Sequence, residues 1–198
     1  MDAKQWKVGI LLFDNVEVLD FAGPFEVFSV TAFENGHKPF DVKTISEKGE
    51  MIEARNGLKV QPDFSFNNMP PFDILIIPGG LGASEREIHN DNVIEWIRNE
   101  MQNVQLMTSV CTGALLLAKA GLLNGKKATT HWGSIEKMQK EFPEVDVQHE
   151  VKFVDEGNIV TSAGISAGIN MSFHIVKRIL GSKEAQRTAK RMEYDIVL

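Results

Sequence analysis

"LMTSVCTGALLLAKAGLLNG", residues 106–125, carries the change of period that decides the fold. Its first half completes "VQLMTSV" (104–110), a short apolar run of strand length, and its second half, 112–120, reads as a helix closed by Gly121. A strand running straight into a helix is the repeating unit of an α/β protein, in which a mostly parallel sheet lies between helices. Cys111, the chain's single cysteine, falls on the junction.

The same alternation extends in both directions. Upstream lie the strand "KVGILLF" (7–13), a helix over about 23–33 with Pro24 in a first-turn position, and the strand "FDVKTIS" (40–46). A small hairpin follows across "MIEARNGLKV" with Asn56-Gly57 at its turn, then a buried strand "DILIIPGG" (73–80) and a polar helix over 92–101. Downstream come "ATTHW", an amphipathic helix near 134–142, and strands "VKFVD" and "NIVTSA" about the turn Glu156-Gly157. Two closing helices follow, near 167–180 and 183–194. With no repeat, low-complexity tract or linker, the 198 residues form one domain, 1–198.

In open α/β sheets, ligands bind beyond the carboxyl ends of the strands, which is where Cys111 stands. Two descriptions of it compete. A tight strand-to-helix bend turns its side chain outward, and the following helix lowers the thiol pKa; alternatively Cys111 is a small apolar plug in the core. Gly113, lacking a Cβ, lets a neighbouring segment approach the bend. Gly79 and Gly80 of "PGG" either offer backbone amides to developing negative charge or form an ordinary tight turn. Asp20 in "VEVLDFAGPFEVF" opens on the same edge. It is either the proton partner of Cys111, sharing one proton so that a thiolate faces a neutral acid, or the N-cap of the first helix. Glu17 is a weaker rival for the acidic role.

Composition narrows the partners. A formal charge of −6 gives no reason to expect nucleic acid, and the basic stretch 177–191 reads as a solvated helix face. No apolar run approaches a membrane span, and a lone cysteine with no apolar signal core at the start points to a reducing cytoplasm. The five histidines are scattered without zinc spacing, so no metal is expected. His131 reads as a strand-end residue holding a hydrogen bond, and His174 as a satisfied interior residue of a core helix. "GGLGAS" and "GLLNGKK" fit neither nucleotide fingerprint. Phenylalanines 21, 25, 28 and 33 form a near-helical stripe that belongs mostly to the core, with some left for a pocket or dimer seam.

Taken together, "LDFAGPFEVF", "ILIIPGG", "VCTGALLLAKAGLLNGKKATTHW" and "TSAGISAGIN" resemble the DJ-1/PfpI superfamily, which has the class I glutamine amidotransferase-like fold. The resemblance covers nearly the whole chain and is nearest to isonitrile hydratases and to the sensor domains of AraC-type regulators. No helix-turn-helix module of the kind those regulators carry is expected after Leu198. It implies a flavodoxin-like sheet, Cys111 as nucleophile, a homodimer, and no cofactor. Thr112 stands where the protease-like branches place histidine, so peptidase activity is not expected. Cys111-Thr112-Gly113 with Asp20 matches the hydratase branch instead, whereas Asn170 replaces an aspartate common in relatives.

The implied chemistry is hydration of an isonitrile or similar small electrophile to an N-substituted formamide. Cys111 would attack, Asp20 would relay the proton, Thr112 would orient acid or water, and amides at Gly79, Gly80 and Gly113 would line the site. The competing function is a sensor that binds a small ligand, or records oxidation at Cys111, without turnover.

Overall fold

The computed structural model describes residues 4–197. Eleven strands and seven helices are present among them: β1 (Trp6–Leu11), α1 (Val18–Val30), β2 (Phe40–Ser46), β3 (Ile52–Glu53), β4 (Lys59–Val60), β5 (Phe64–Ser65), β6 (Ile74–Ile77), α2 (Leu81–Glu85) and α3 (Asp91–Glu100); then β7 (Leu106–Val110), α4 (Gly113–Lys119), β8 (Lys127–Ala128), α5 (Ile135–Glu141), β9 (Asp146–Val147), β10 (Phe153–Asp155), β11 (Ile159–Ser162), α6 (Ala167–Leu180) and α7 (Ser182–Arg191).

The main sheet runs β10-β11-β7-β6-β1-β2-β5, parallel except for the antiparallel β10. Helices α1, α6 and α7 pack together as one layer, and α2, α3 and α4 as the other. Cover on both faces explains why β6 ("ILII") and β7 ("LMTSV") are buried at every position rather than alternating. The same enclosure explains α4, apolar all round and buried from Gly113 to Ala118.

The order of strand addition reverses about β1, with β2 on one side and β6 on the other, so a crevice opens at the carboxyl ends of β1 and β6. The loops after β1, β6 and β7 all end there. They bring together Asp20, in the first turn of α1, with Gly79-Gly80 and Cys111.

Several boundaries differ from the sequence reading. The first helix begins at Val18, not near residue 23, so Asp20 lies inside it and Pro24 sits mid-helix rather than in the first turn. Proline cannot donate, so the Asp20 carbonyl loses its helical partner there. Packing offsets the loss: a Cβ on Gly23 would stand 2.9 Å from Ile169, showing how closely α1 meets α6. The hairpin at Asn56-Gly57 is present, with both residues at positive φ, but its strands are only two residues long. Strands β5, β8 and β9 and helix α2 are too short to impose a period on the sequence.

Gly113 shows how tightly the bend is built. A Cβ there would collide with the carbonyl oxygen of Ile77 and stand 2.8 Å from that of Pro78. Both are backbone atoms and cannot step aside. Gly113→Ala should therefore cost upwards of about 3 kcal/mol and lower Tm by about 10 °C in a thermal melt.

Candidate active site

Cys111 occupies a left-handed backbone conformation, φ 57°, which a non-glycine residue adopts only under constraint. The constraint comes from three sides. Its N–H donates to the carbonyls of Ser162 (3.2 Å) and Ala163 (3.3 Å), and its own carbonyl accepts the Thr130 hydroxyl at 2.8 Å. The bend expected at the junction is thus present, holding the cysteine in a strained strand-to-helix elbow between β7 and α4.

The side chain is not outward in the sense expected: Cys111 is 5% exposed. Burial pushes its thiol pKa up to about 12 rather than down, and the nearby charge of Asp20 pushes the same way. Two backbone N–H groups oppose this by donating to the sulfur, from Thr112 and from Ile165. Ile165, at φ 47°, is the second strained residue of the site and was not singled out from the sequence. Its only sequence signal is its place in "SAGISAG", between small residues where β11 turns into α6.

Asp20 is fully buried. Its Oδ2 accepts the Gly79 N–H at 3.0 Å, across the crevice, so it does not cap its own helix. Its Oδ1 is buried without a hydrogen-bond partner: the thiol of Cys111 is close enough to couple to the carboxyl but forms no well-shaped hydrogen bond to it. Burial raises the Asp20 pKa to about 7, and the Glu17 charge adds to the rise against the Gly79 hydrogen bond. Glu17 itself is turned to Arg55, at 3.1 Å, which removes it as a rival acid.

These shifts correct the expected charge distribution. Both members of the pair hold their protons more tightly than in water, so the resting pair is thiol plus carboxylic acid below pH 7. Above it, the first charge falls on Asp20 rather than on sulfur. The cause is desolvation, which outweighs the two amides at the sulfur.

Thr112 and the two glycines are placed differently from expectation as well. The Thr112 hydroxyl accepts the Gly80 N–H at 2.9 Å and donates to the Gly80 carbonyl at 3.1 Å, so it clamps the β6 loop to the bend rather than facing acid or water. The Gly79 and Gly80 amides are engaged by Asp20 and Thr112. The donors aimed at sulfur are instead those of Thr112 and Ile165. Close approach explains Gly79: a Cβ there would stand 2.5 Å from the Thr112 N and Oγ1 and 3.0 Å from Asp20 Oδ2. Gly79→Ala should therefore push Asp20 off its anchor while the protein still folds. A changed near-ultraviolet circular dichroism signal beside an unchanged far-ultraviolet one checks this.

His131 caps the short turn Trp132–Ser134 by accepting the Gly133 N–H at Nδ1, 3.2 Å. Its ring packs on Gly164, where a Cβ would collide with it. His174 is partly exposed rather than interior and bonds Asp155 at 2.7 Å, tying α6 to β10. Asn170, in the first turn of α6, keeps a buried Oδ1 without a partner. Among the described residues no three His, Cys, Asp or Glu side chains converge as metal ligands, and no helix is long and apolar enough to cross a membrane.

The pattern of the DJ-1/PfpI family matches residues 6–178. An isonitrile hydratase from Pseudomonas putida is 31% identical over 188 residues, 95% of this chain and 78% of that protein. The HTH-type transcriptional regulator GbdR from Pseudomonas aeruginosa is 29% identical over 95% of this chain, which spans only 50% of the regulator's length. Among solved structures, a ThiJ/PfpI family protein from Pseudomonas syringae superposes with a TM-score of 0.82 at 25% identity, over 99% of this chain and 78% of that one.

Proposed function

The chain belongs to the DJ-1/PfpI family, and from that premise we propose that it hydrates an isonitrile, or a similarly small electrophile, to an N-substituted formamide through Cys111. The observation that supports this most is the pairing of a strained, buried cysteine with a buried carboxyl that has one oxygen unengaged.

A neutral resting pair suits this reaction. The terminal carbon of an isonitrile accepts both a nucleophile and a proton. Cys111 sulfur bonds to that carbon while the thiol proton passes through Asp20 to the same carbon, giving a thioimidate, R–N=CH–S. The Thr112 and Ile165 amides steady the sulfur as its charge develops. Water then adds to the thioimidate carbon, nitrogen takes a proton, and the tetrahedral carbon expels the sulfur, which recovers its proton. The product is R–NH–CHO. The atoms balance with water alone, so the reading requires neither metal ion nor organic cofactor.

A sensor without turnover is the second reading, favoured by the likeness to the regulator. Of its two forms, ligand binding fits the site better than oxidation. Oxidation begins with a thiolate attacking a peroxide oxygen and displacing hydroxide, and this thiol is buried with a raised pKa. Incubation with cyclohexyl isonitrile separates the readings. Saturable N-cyclohexylformamide formation that depends on Cys111 supports the hydratase, and saturable binding with no formamide supports the sensor. A homodimer belongs to either reading, its seam supplied by apolar side chains such as Leu19 and Phe25 left exposed on α1.

A further inference from the structure

Residues 129–131, "TTH", follow β8 directly and reach three separate parts of the chain. The Thr129 N–H donates to the Thr161 hydroxyl of β11 at 2.9 Å, and the Thr129 hydroxyl donates to the Gln148 carbonyl at 3.0 Å. Thr129 is therefore anchored without help from the site. His131 packs its ring on Gly164. Between these two fixed neighbours Thr130, 1% exposed, donates its hydroxyl to the Cys111 carbonyl at 2.8 Å.

That bond is shorter than the others at the Cys111 backbone, whose N–H is shared between two carbonyls at 3.2 and 3.3 Å and whose carbonyl the Ala114 N–H reaches from 3.4 Å. A peptide unit is planar, so the Cys111 carbonyl and the Thr112 N–H turn as one rigid body. Whatever holds the carbonyl also aims the N–H. The Thr112 N–H is one of the two that donate to the Cys111 sulfur. The positive φ of Cys111, 57°, is a conformation that persists only when its surroundings hold it.

We infer that Thr130 is a positioning residue: by fixing the carbonyl of residue 111, its hydroxyl aims the Thr112 amide at the sulfur and so sets the stabilisation offered to sulfur as charge develops there in turnover. The part that concerns turnover rests on the hydratase reading above. Thr130 acts through the peptide unit and not on the reacting atoms. Removal of its hydroxyl leaves a buried carbonyl facing an apolar group, and rotation towards the Ala114 N–H is the route by which that carbonyl regains a close partner. The same rotation carries the Thr112 N–H off the sulfur.

The test compares Thr130→Val, which keeps the shape and loses the hydroxyl, with Thr130→Ser, which keeps the hydroxyl. A single cysteine gives the chain a single S–H stretching band in the infrared, identified by its loss in Cys111→Ala. At about pH 6, where the thiol is protonated, Thr130→Val is expected to shift that band because the sulfur loses an N–H donor, and Thr130→Ser to leave it in place. With cyclohexyl isonitrile, kcat should fall at least about tenfold in Thr130→Val, with little change in KM, and stay close to the wild type in Thr130→Ser. A residue that only supports the fold would lower Tm in Thr130→Val while the band and kcat stay unchanged, and that result overturns the inference. If the wild type turns over no isonitrile, the hydratase reading fails and the band decides alone: a shift in Thr130→Val that is absent from Thr130→Ser upholds the positioning role, and one band position in all three proteins overturns it. Thr130→Ala removes the same hydroxyl and replaces Thr130→Val in both readouts if that variant does not fold.

Discussion

Cys111→Ala is expected to abolish isonitrile hydration, at least about 10³-fold in kcat, while leaving the fold intact. The activity loss follows because no other side chain in the crevice is a nucleophile: Asp20 is anchored on Gly79 and the Thr112 hydroxyl is spent on Gly80. The fold survives because the hydrogen bonds that define the bend, to Ser162, Ala163 and Thr130, involve the backbone of residue 111 and not its sulfur. Loss of a small buried side chain should cost roughly 1 kcal/mol, within about 4 °C of Tm. Unfolding of the variant at room temperature would reassign Cys111 to the core; full activity would remove covalent catalysis.

The second large effect is expected from Asp20→Asn, and it has two parts. Activity should fall by roughly 10²–10⁴, because an amide cannot relay the proton. Wild-type activity should itself decline as pH rises through about 7, where Asp20 loses its proton. The substitution should act on stability with the opposite sign to its effect on activity. The Asp20 pKa rises from 3.8 unfolded to about 7 folded, so its contribution is intact below pH 4 and is lost as pH climbs towards 7. That rise of about 3 units corresponds to a penalty on the order of 4 kcal/mol above pH 7. The variant should therefore match the wild type near pH 4 and exceed it by several kcal/mol near pH 8 in denaturant titrations. Asp73 and Asp155, whose pKa values are lowered, lose their contributions at acid pH in both proteins and cancel in the difference.

The expectations that held were those written in local pattern. The buried runs "ILII" and "LMTSV" and the helix after Cys111 announce a doubly covered parallel sheet, and they place the junction within a residue. What failed depends on contacts distant in the chain. Pro24 marks a helix start by local rules, yet packing of Gly23 on Ile169, 146 positions away, lets the helix begin five residues earlier. The helix that follows Cys111 argues locally for an acidified thiol, but the depth at which distant segments bury the sulfur is not written beside it. Nothing local reveals that Asp20 and Thr112 already engage the Gly79 and Gly80 amides. Ile165 is hidden for the same reason: an isoleucine among small residues gives no sign that its amide lies beside a sulfur 54 positions earlier.

Whether carbon bonds to Cys111 during turnover is decided by intact-protein mass spectrometry of the wild type mixed with cyclohexyl isonitrile and rapidly quenched. The predicted result is a transient gain equal to the mass of the whole isonitrile, localised to Cys111 by peptide mapping and absent from Cys111→Ala. Formamide produced with no adduct on Cys111 at any quench time would contradict it.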